Sequence, residues 1–352
     1  MKIGNQNLPL CLVLLSASSV WAAGHEEIPP TEAAATQQIV SMIEKSVRVE
    51  AGNGSSAHRD AHAKAHGCVR AEFSVTPKQV PEDLRVGIFA EARTYPAWIR
   101  YSNASGKVQD DSVGDARGMA IKLIGVEHST SGTQDFLMIN HPVFLVRNAA
   151  DYVEFQQALS EGNSVKFFFP GLNPFNFRLH EFGIANAIRS TKAVNPLNSR
   201  YWSTTPYLLG NTAMKFSARP CGAASPFVEN ASPNFLRENM QKQLAQGQAC
   251  FDFMIQRQSR PSEMPIEDPT IEWSEKDSPF IPVARITIPT QAFDSPEQSA
   301  FCENLSFTPW HALPAHQPLG GINRVRKTVY ETISRLRHEL NGDKRSEPRG
   351  AF

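Results

Sequence analysis

The sequence predicts an α+β fold built on an antiparallel sheet or barrel, and three observations carry that prediction. Short runs rich in β-branched and aromatic residues recur along the chain, broken by Gly, Asp, Asn and Pro. They lack the spacing of βαβ units, so their natural pairing is antiparallel. The 25 prolines, most of them in the second half, argue against a long helical bundle or a repeat array.

The elements follow in order. Residues 1–22 read as a cleaved secretory signal: Lys2 supplies the positive start, and the apolar run 8–20 is too short to span a bilayer. Small residues then lead to a cut after Ala22 or Ala23. The expected location is therefore the periplasm, with no membrane span after processing. Residues 24–38 look loose, and 37–47 place apolar side chains at the spacing of a short entry helix. Strand patterns occupy 69–75, 97–102, 119–126 and 136–146, and later 249–256 and 281–289. Helical patterns fall at 150–159, 183–189 and, most plainly, 321–340. Without a repeat or a long linker, residues 23–340 are expected to form one domain, and the charged stretch 341–352 a mobile tail.

The 35 basic residues balance 35 acidic ones, so no chain-wide field exists to hold nucleic acid, and none is expected as a partner. Loss of the signal removes Cys11 and leaves Cys68, Cys221, Cys250 and Cys302. An even number in an exported chain permits two disulfides, whereas the lack of CxxC pairs speaks against structural zinc. Cys221 and Cys250, in a Pro/Gly/Asn-rich stretch, are expected to pair. Cys68 and Cys302 are left either free or paired with each other.

Three clusters could carry chemistry. On the last helix Arg326, Tyr330 and Arg337 are separated by four and seven residues and point roughly the same way, beside an apolar stripe through Ile322, Val325, Val329, Ile333, Leu336 and Leu340. This stripe fits either a solvated basic face or a metal-ligating phenolate with a charge partner one turn away. In HRDAHAKAHGCVRAEF, His58, His62 and His66 recur every four residues. A helix would gather them for a metal, but the stretch runs directly into Gly67 and a strand, which favours exposed histidines. Finally, Arg100, Asn140 and His141 interrupt otherwise apolar runs, where a polar residue either satisfies backbone or serves a site.

Taken together and in this order, the clusters resemble the haem-dependent catalase family, and in particular its shorter, exported catalase-like peroxidase branch. The resemblance covers about residues 55–340. Arg59-Asp60-Ala61-His62-Ala63-Lys64 is similar to the family's R-x-x-H-A-K segment, Ile99-Arg100-Tyr101-Ser102 to its arginine-aromatic-serine strand, and Asp115-Ala116-Arg117-Gly118-Met119-Ala120-Ile121-Lys122 to its D-P-R-G-F-A-V-K motif. The segment DFLMINHPVF supplies Asn140, and Arg326-x-x-x-Tyr330 with Arg337 resembles the proximal helix.

The resemblance implies a catalase-like antiparallel β-barrel with surrounding helices that enclose a b-type haem (heme b). Tyr330 would be its axial ligand and Arg326 the charge partner. Arg59, Arg100 and Arg337 would hold the propionates, Tyr152 would line the pocket, and His62, Ser102 and Asn140 would serve the distal side. The implied activity is reduction of hydrogen peroxide, or of an organic hydroperoxide, through a high-valent iron–oxo state, with a small organic reductant or a second peroxide. A fatty-acid hydroperoxide-converting enzyme and a non-enzymatic haem carrier are the alternatives. Ala116 replaces the motif's proline, Ala61 and Ala104 stand where large catalases carry valine, and Leu145 and Tyr152 replace phenylalanines. These smaller residues imply a wider distal approach. The length of the chain points to a monomer or small homo-oligomer, not a tight NADPH-binding tetramer.

Overall fold

The computed structural model describes residues 26–52, 57, 59, 61–222, 232–345 and 347–348. Residues 1–22, read from the sequence as a secretory signal, and His58 lie outside the described residues.

Alternation of inward and outward side chains builds the centre. In β1 (Ala65–Val75), Val69, Ala71, Phe73 and Val75 are buried while Arg70 and Glu72 between them are exposed, the period of a strand with one face on a core. It pairs antiparallel with β2 (Arg93–Asn103), then β3 (Arg117–Ile124) and β4 (Thr133–Ile139). The two-residue β5 (Tyr201–Trp202) pairs with both β4 and β7 (Thr212–Pro220), β7 with β8 (Ala249–Arg257), β8 with β9 (Ile281–Ile288), and β9 with β1. The ring thus closes as an eight-stranded antiparallel barrel, with the short β6 (Tyr207–Leu209) appended to β7. Closure removes the two open edges that these eight strands would present as a flat sheet. Its interior is packed with rings: Phe136 lies 4.7 Å from Phe253 and 5.0 Å from Phe216, and Phe73 lies 5.1 Å from Phe253.

Seven α-helices surround the barrel among the described residues. They are α1 (Glu32–Gly52), α2 (Ala149–Ser160), α3 (Val165–Phe168), α4 (Leu179–Ser190), α5 (Phe235–Gln246), α6 (Pro296–Asn304) and α7 (Gly321–Asn341). On α7 the predicted stripe is buried from Ile322 to Leu336, and only Leu340 is exposed. Val325, Val329, Ile333 and Leu336 form one apolar cluster with Ile39 and Ile43 of α1, and Val153 of α2 joins it. No described helix is long and apolar enough to cross a membrane.

Several boundaries depart from the sequence reading. The entry helix runs over 32–52 instead of 37–47, because Ala35 and Thr36 before the expected start and Val47 at its end are buried with the same face. The strand expected over 136–146 stops at Ile139, where Asn140 and His141 leave the ladder. The helix expected over 183–189 starts at Leu179. β7, α5 and α6 were absent from the sequence reading. The 341–352 stretch, expected to be mobile, makes at least one deep contact: Glu347 Oε2 lies 2.8 Å from Nζ of the fully buried Lys122. Both disulfides form, Cys221–Cys250 as expected and Cys68–Cys302 as the mutual pair, with Cα separations of 5.6 and 5.8 Å.

Candidate active site

The period-2 geometry that turns Ile99 and Tyr101 into the barrel sends Arg100 and Ser102 to its outer face, and on β3 it does the same for Gly118 opposite Ser102. The site is built on this outer face, under α7.

His62 sits just before β1 with φ of +63°, a left-handed turn, and its peptide N–H donates to Ala104 O at 3.0 Å. No helix is possible here, which dissolves the three-histidine face. His66 lies on β1, fully buried instead of exposed, with Nε2 at 2.8 Å from Asn103 Oδ1. No group of His, Cys, Asp and Glu fit to hold a metal ion occurs among the described residues. The His62 imidazole turns Nδ1 toward Ser102 Oγ at 3.0 Å. Its removal from solvent, followed by the charges of Arg100 and Arg326, pushes its pKa down to about 3, so the ring is neutral at ordinary pH.

Gly118 makes that geometry possible. A Cβ there would stand 2.6 Å from His62 Nδ1 and 2.8 Å from Ser102 Oγ. The neighbouring Arg117 gives its peptide N–H to Asn140 Oδ1 at 2.7 Å, and Asn140 N–H returns a bond to Arg117 O at 2.9 Å. With Oδ1 engaged, the Asn140 amide nitrogen remains as a donor. Asn140 and His62 therefore flank the same two residues of β3. Behind them the Arg117 guanidinium bonds Asn103 Oδ1 and, at 2.8 Å, Asp111 O, while Asp115 Oδ2 accepts from Ala104 N–H and Ser105 N–H at 3.0 and 2.8 Å. The motif residues Asp115, Arg117 and Gly118 were read in the sequence only as a pattern. In the fold they hold the distal loop, anchor Asn140 and make room for His62. His141, next to Asn140, is half-buried, and burial lowers its pKa.

On α7 the Tyr330 hydroxyl lies 3.3 Å from Arg326 Nη2. Arg326 is held from its other side by Asn323 Oδ1 at 3.2 Å and Thr205 Oγ1 at 3.4 Å. Burial opposes the charge on Arg326, but the surrounding phenols of Tyr330, Tyr207 and Tyr152 outweigh it and raise its pKa. The guanidinium is thus a permanent positive charge beside the Tyr330 hydroxyl. Tyr152 of α2 is half-buried, with its ring edge-on to Phe144 at 6.2 Å.

The three remaining arginines converge although they come from residues 59, 100 and 337. Arg59 Nη1 lies 2.5 Å from Glu303 Oε1, Arg337 Nη1 lies 2.5 Å from Glu303 O and 3.7 Å from Oε1, and Arg100 Nη2 stands 4.0 Å from Oε2. Arg100 also bonds His62 O at 2.8 Å, and its Nε is buried without a partner among the described residues. Burial, then the charge of Arg59, lowers the pKa of both Arg100 and Arg337. Three guanidinium groups against one carboxylate leave an excess of two positive charges. Glu303 is the member that sequence reading missed: nothing near it in the chain marks it, and only the fold brings it to the arginines.

These residues fit a haem. An excess of two positive charges suits two propionates, a buried guanidinium nitrogen awaits an acceptor, the Gly118 cradle leaves the imidazole upright, and a tyrosine beside a fixed cation suits ferric iron. The catalase family model matches residues 40–169, which contain His62, Ser102, Arg117, Gly118 and Asn140 but not α7. Catalase-A of Dictyostelium discoideum is 24% identical over 289 residues, covering 74% of this chain and 55% of its own length. Peroxisomal catalase of Toxoplasma gondii is 22% identical, covering 81% and 59%. The chain therefore spans a little over half the length of these relatives. Among solved structures a fungal catalase superposes with a TM-score of 0.66 at 19% identity, over 81% of this chain and 60% of that one. Catalase A from Saccharomyces cerevisiae gives 0.65 at 17%, over 82% and 64%. A barrel of this topology, with the motif residues gathered on one outer face, gives the chain the fold of the catalases, and over residues 40–169 its sequence matches the catalase family model.

Proposed function

We propose that the chain is a haem-dependent oxidoreductase that reduces hydrogen peroxide or a small organic hydroperoxide, with a b-type haem held at Tyr330. The observation that carries this reading is the placing of His62 and Asn140 on either side of Arg117 and Gly118, together with the Tyr330–Arg326 pair on α7. A pure haem carrier needs Tyr330 and the arginines but has no use for the distal pair.

When bound, the haem supplies redox cleavage of the peroxide O–O bond. The side chains do the rest. The Tyr330 oxygen would ligate the iron, with the Arg326 guanidinium beside it as charge partner. Arg59, Arg100 and Arg337 would hold the propionates. With Nδ1 turned to Ser102, His62 has Nε2 left to accept a proton from one peroxide oxygen and return it to the other. Its depressed pKa keeps that nitrogen free. Such acid/base help is worth about 10²- to 10⁴-fold. The Asn140 amide nitrogen donates to the peroxide and fixes its approach.

Ala61 and Ala104 leave the distal approach wide, which suits peroxidase turnover with an organic donor over catalase turnover. Work in the periplasm as a monomer or small homo-oligomer belongs to the same proposal. An absorption spectrum and haem content of the purified protein test it. Haem bound through a phenolate, lost or shifted in Tyr330→Phe, is expected. A Tyr330→Phe protein with full haem and an unchanged Soret band would overturn the ligand assignment.

A further inference from the structure

A second site lies away from His62. An open cleft of about 480 Å³ is lined by Arg147, Glu154, Pro170, Phe175, Phe177 and Arg178. Phe175 is 94% exposed and Leu172 beside it 99%. The exposed ring is set by a local device: Asn173 Oδ1 accepts the Phe175 N–H at 3.1 Å and caps the tight turn Pro174–Asn176. Apolar groups held in water by a built turn mark a contact surface.

The floor of the cleft is ionic. Arg147 Nε lies 2.6 Å from Asp151 and 3.3 Å from Glu181, and Arg178 Nη2 lies 2.5 Å from Glu154 and 3.7 Å from Asp151. Glu154 and Glu181 line the cleft with the two guanidinium groups, and Asp151, buried beneath and paired with both arginines, leaves this ionic group one negative charge in excess. Behind it the rings follow one another without a gap. Centroids are 5.1 Å apart from Phe177 to Phe169, 5.1 Å to Phe182, 5.6 Å to Phe168 and 5.2 Å to Phe167. Tyr152 packs against this same cluster and also against the apolar cluster that α7, the helix that carries Tyr330, forms with α1 and α2.

We propose that this cleft binds a small neutral or cationic aromatic reductant and that the aromatic cluster joins it to the haem pocket at Tyr152. This inference rests on the haem reading above and names the donor class that reading leaves open. Aromatic walls stack the ring, and the negative floor selects against anionic donors. The chemistry balances with peroxide as oxidant. Each phenol gives up one electron and its O–H proton, and two phenols reduce one hydrogen peroxide to two waters and become two phenoxyl radicals.

Tyramine, a cationic phenol, and 4-hydroxybenzoate, an anionic one, are the probes, titrated into the full-length protein by saturation-transfer NMR. Phe175→Ser should raise the tyramine Kd about threefold to tenfold, the worth of one aromatic contact. Glu154→Lys should weaken tyramine and strengthen 4-hydroxybenzoate, while Val49→Ser, an exposed apolar residue on α1, should change neither. Absence of tyramine binding, or equal Kd in all variants, would overturn the cleft. Peroxide-driven tyramine oxidation with a KM unmoved by Phe175→Ser and Glu154→Lys would also overturn it, with the haem reading intact. Tyramine bound as expected, but never oxidised by haem-loaded protein and peroxide, would instead overturn the reductant role together with that reading.

Discussion

Nδ1 of His62 stands 3.0 Å from Oγ of Ser102 although forty residues separate them, and the contact exists because β2 delivers Ser102 to the outer barrel face where the left-handed turn at His62 ends. Removing the hydroxyl should loosen the imidazole without touching Tyr330. Ser102→Ala is expected to keep its haem and slow the peroxide-driven step about tenfold, while His62→Ala slows it about 10²-fold or more. Stopped-flow absorbance of the haem-loaded variants measures both. His66→Ala should differ in kind, because His66 is a fully buried partner of Asn103. A loss of thermal stability, rather than a specific loss of rate, is expected there.

Gly118→Ala tests the cradle. The new Cβ would lie inside contact distance of both His62 and Ser102, and neither short side chain can retreat far. Displacement of the imidazole should reproduce the kinetic defect of His62→Ala and cost about 1–3 kcal/mol of stability. Activity and urea midpoint equal to wild type would show that the imidazole does not occupy this position.

Acid should destabilise the fold through its histidines. Burial lowers the pKa of His62 to about 3 and of His66 and His316 to about 4. The unfolded chain, with histidines near 6.5, takes up protons before the folded one does, so stability is full above pH 6.5 and falls as pH drops from there toward 4. His316 shows why: Nε2 accepts the Ile88 N–H at 3.1 Å, a bond that protonation destroys. Urea midpoints between pH 7.5 and 4.5 should fall, and His316→Asn should be less stable overall with a shallower slope. A wild-type midpoint independent of pH across that range would refute the linkage.

The Cys68–Cys302 bridge closes 234 residues and ends next to Glu303. In the chain-entropy picture its loss removes about 5 kcal/mol. Cys302 O, Glu303 O and Leu305 O all accept from Arg59 Nη2, so the same segment also holds an arginine of the charged cluster. Replacing both cysteines by serine should lower the thermal midpoint and speed haem transfer to apomyoglobin. Reductant should do the same to wild type, whereas in the double variant only the smaller effect of opening Cys221–Cys250 should remain.

Glu303→Gln isolates the electrostatic part. It removes the carboxylate from the buried guanidinium groups of Arg100 and Arg337 and the half-buried one of Arg59, and leaves their repulsion unrelieved. Glu303 is itself one-third exposed, so the expected loss is about 1–2 kcal/mol rather than that of a fully buried pair. Differential scanning calorimetry reads it, and added salt should recover part of the loss.

Local patterning determined much of this molecule without help from the fold. Short runs of β-branched and aromatic residues marked β1, β2, β3, β8 and β9, and steps of three and four marked α7, because these signals are set by local backbone geometry alone. The Arg326–Tyr330 pair was legible for the same reason, as two residues one helical turn apart. What lay beyond sequence was anything decided by residues distant in the chain. β5 is two residues long and gains its identity only by closing the barrel between β4 and β7. α6 has almost no apolar periodicity, and its buried Cys302 is held by Cys68. The room that Gly118 leaves for His62, the grip of Arg117 on Asn140 and the meeting of three arginines at Glu303 depend on strand register and barrel closure. Those follow from the free energy of the whole packed core, which no stretch of ten or twenty residues carries by itself.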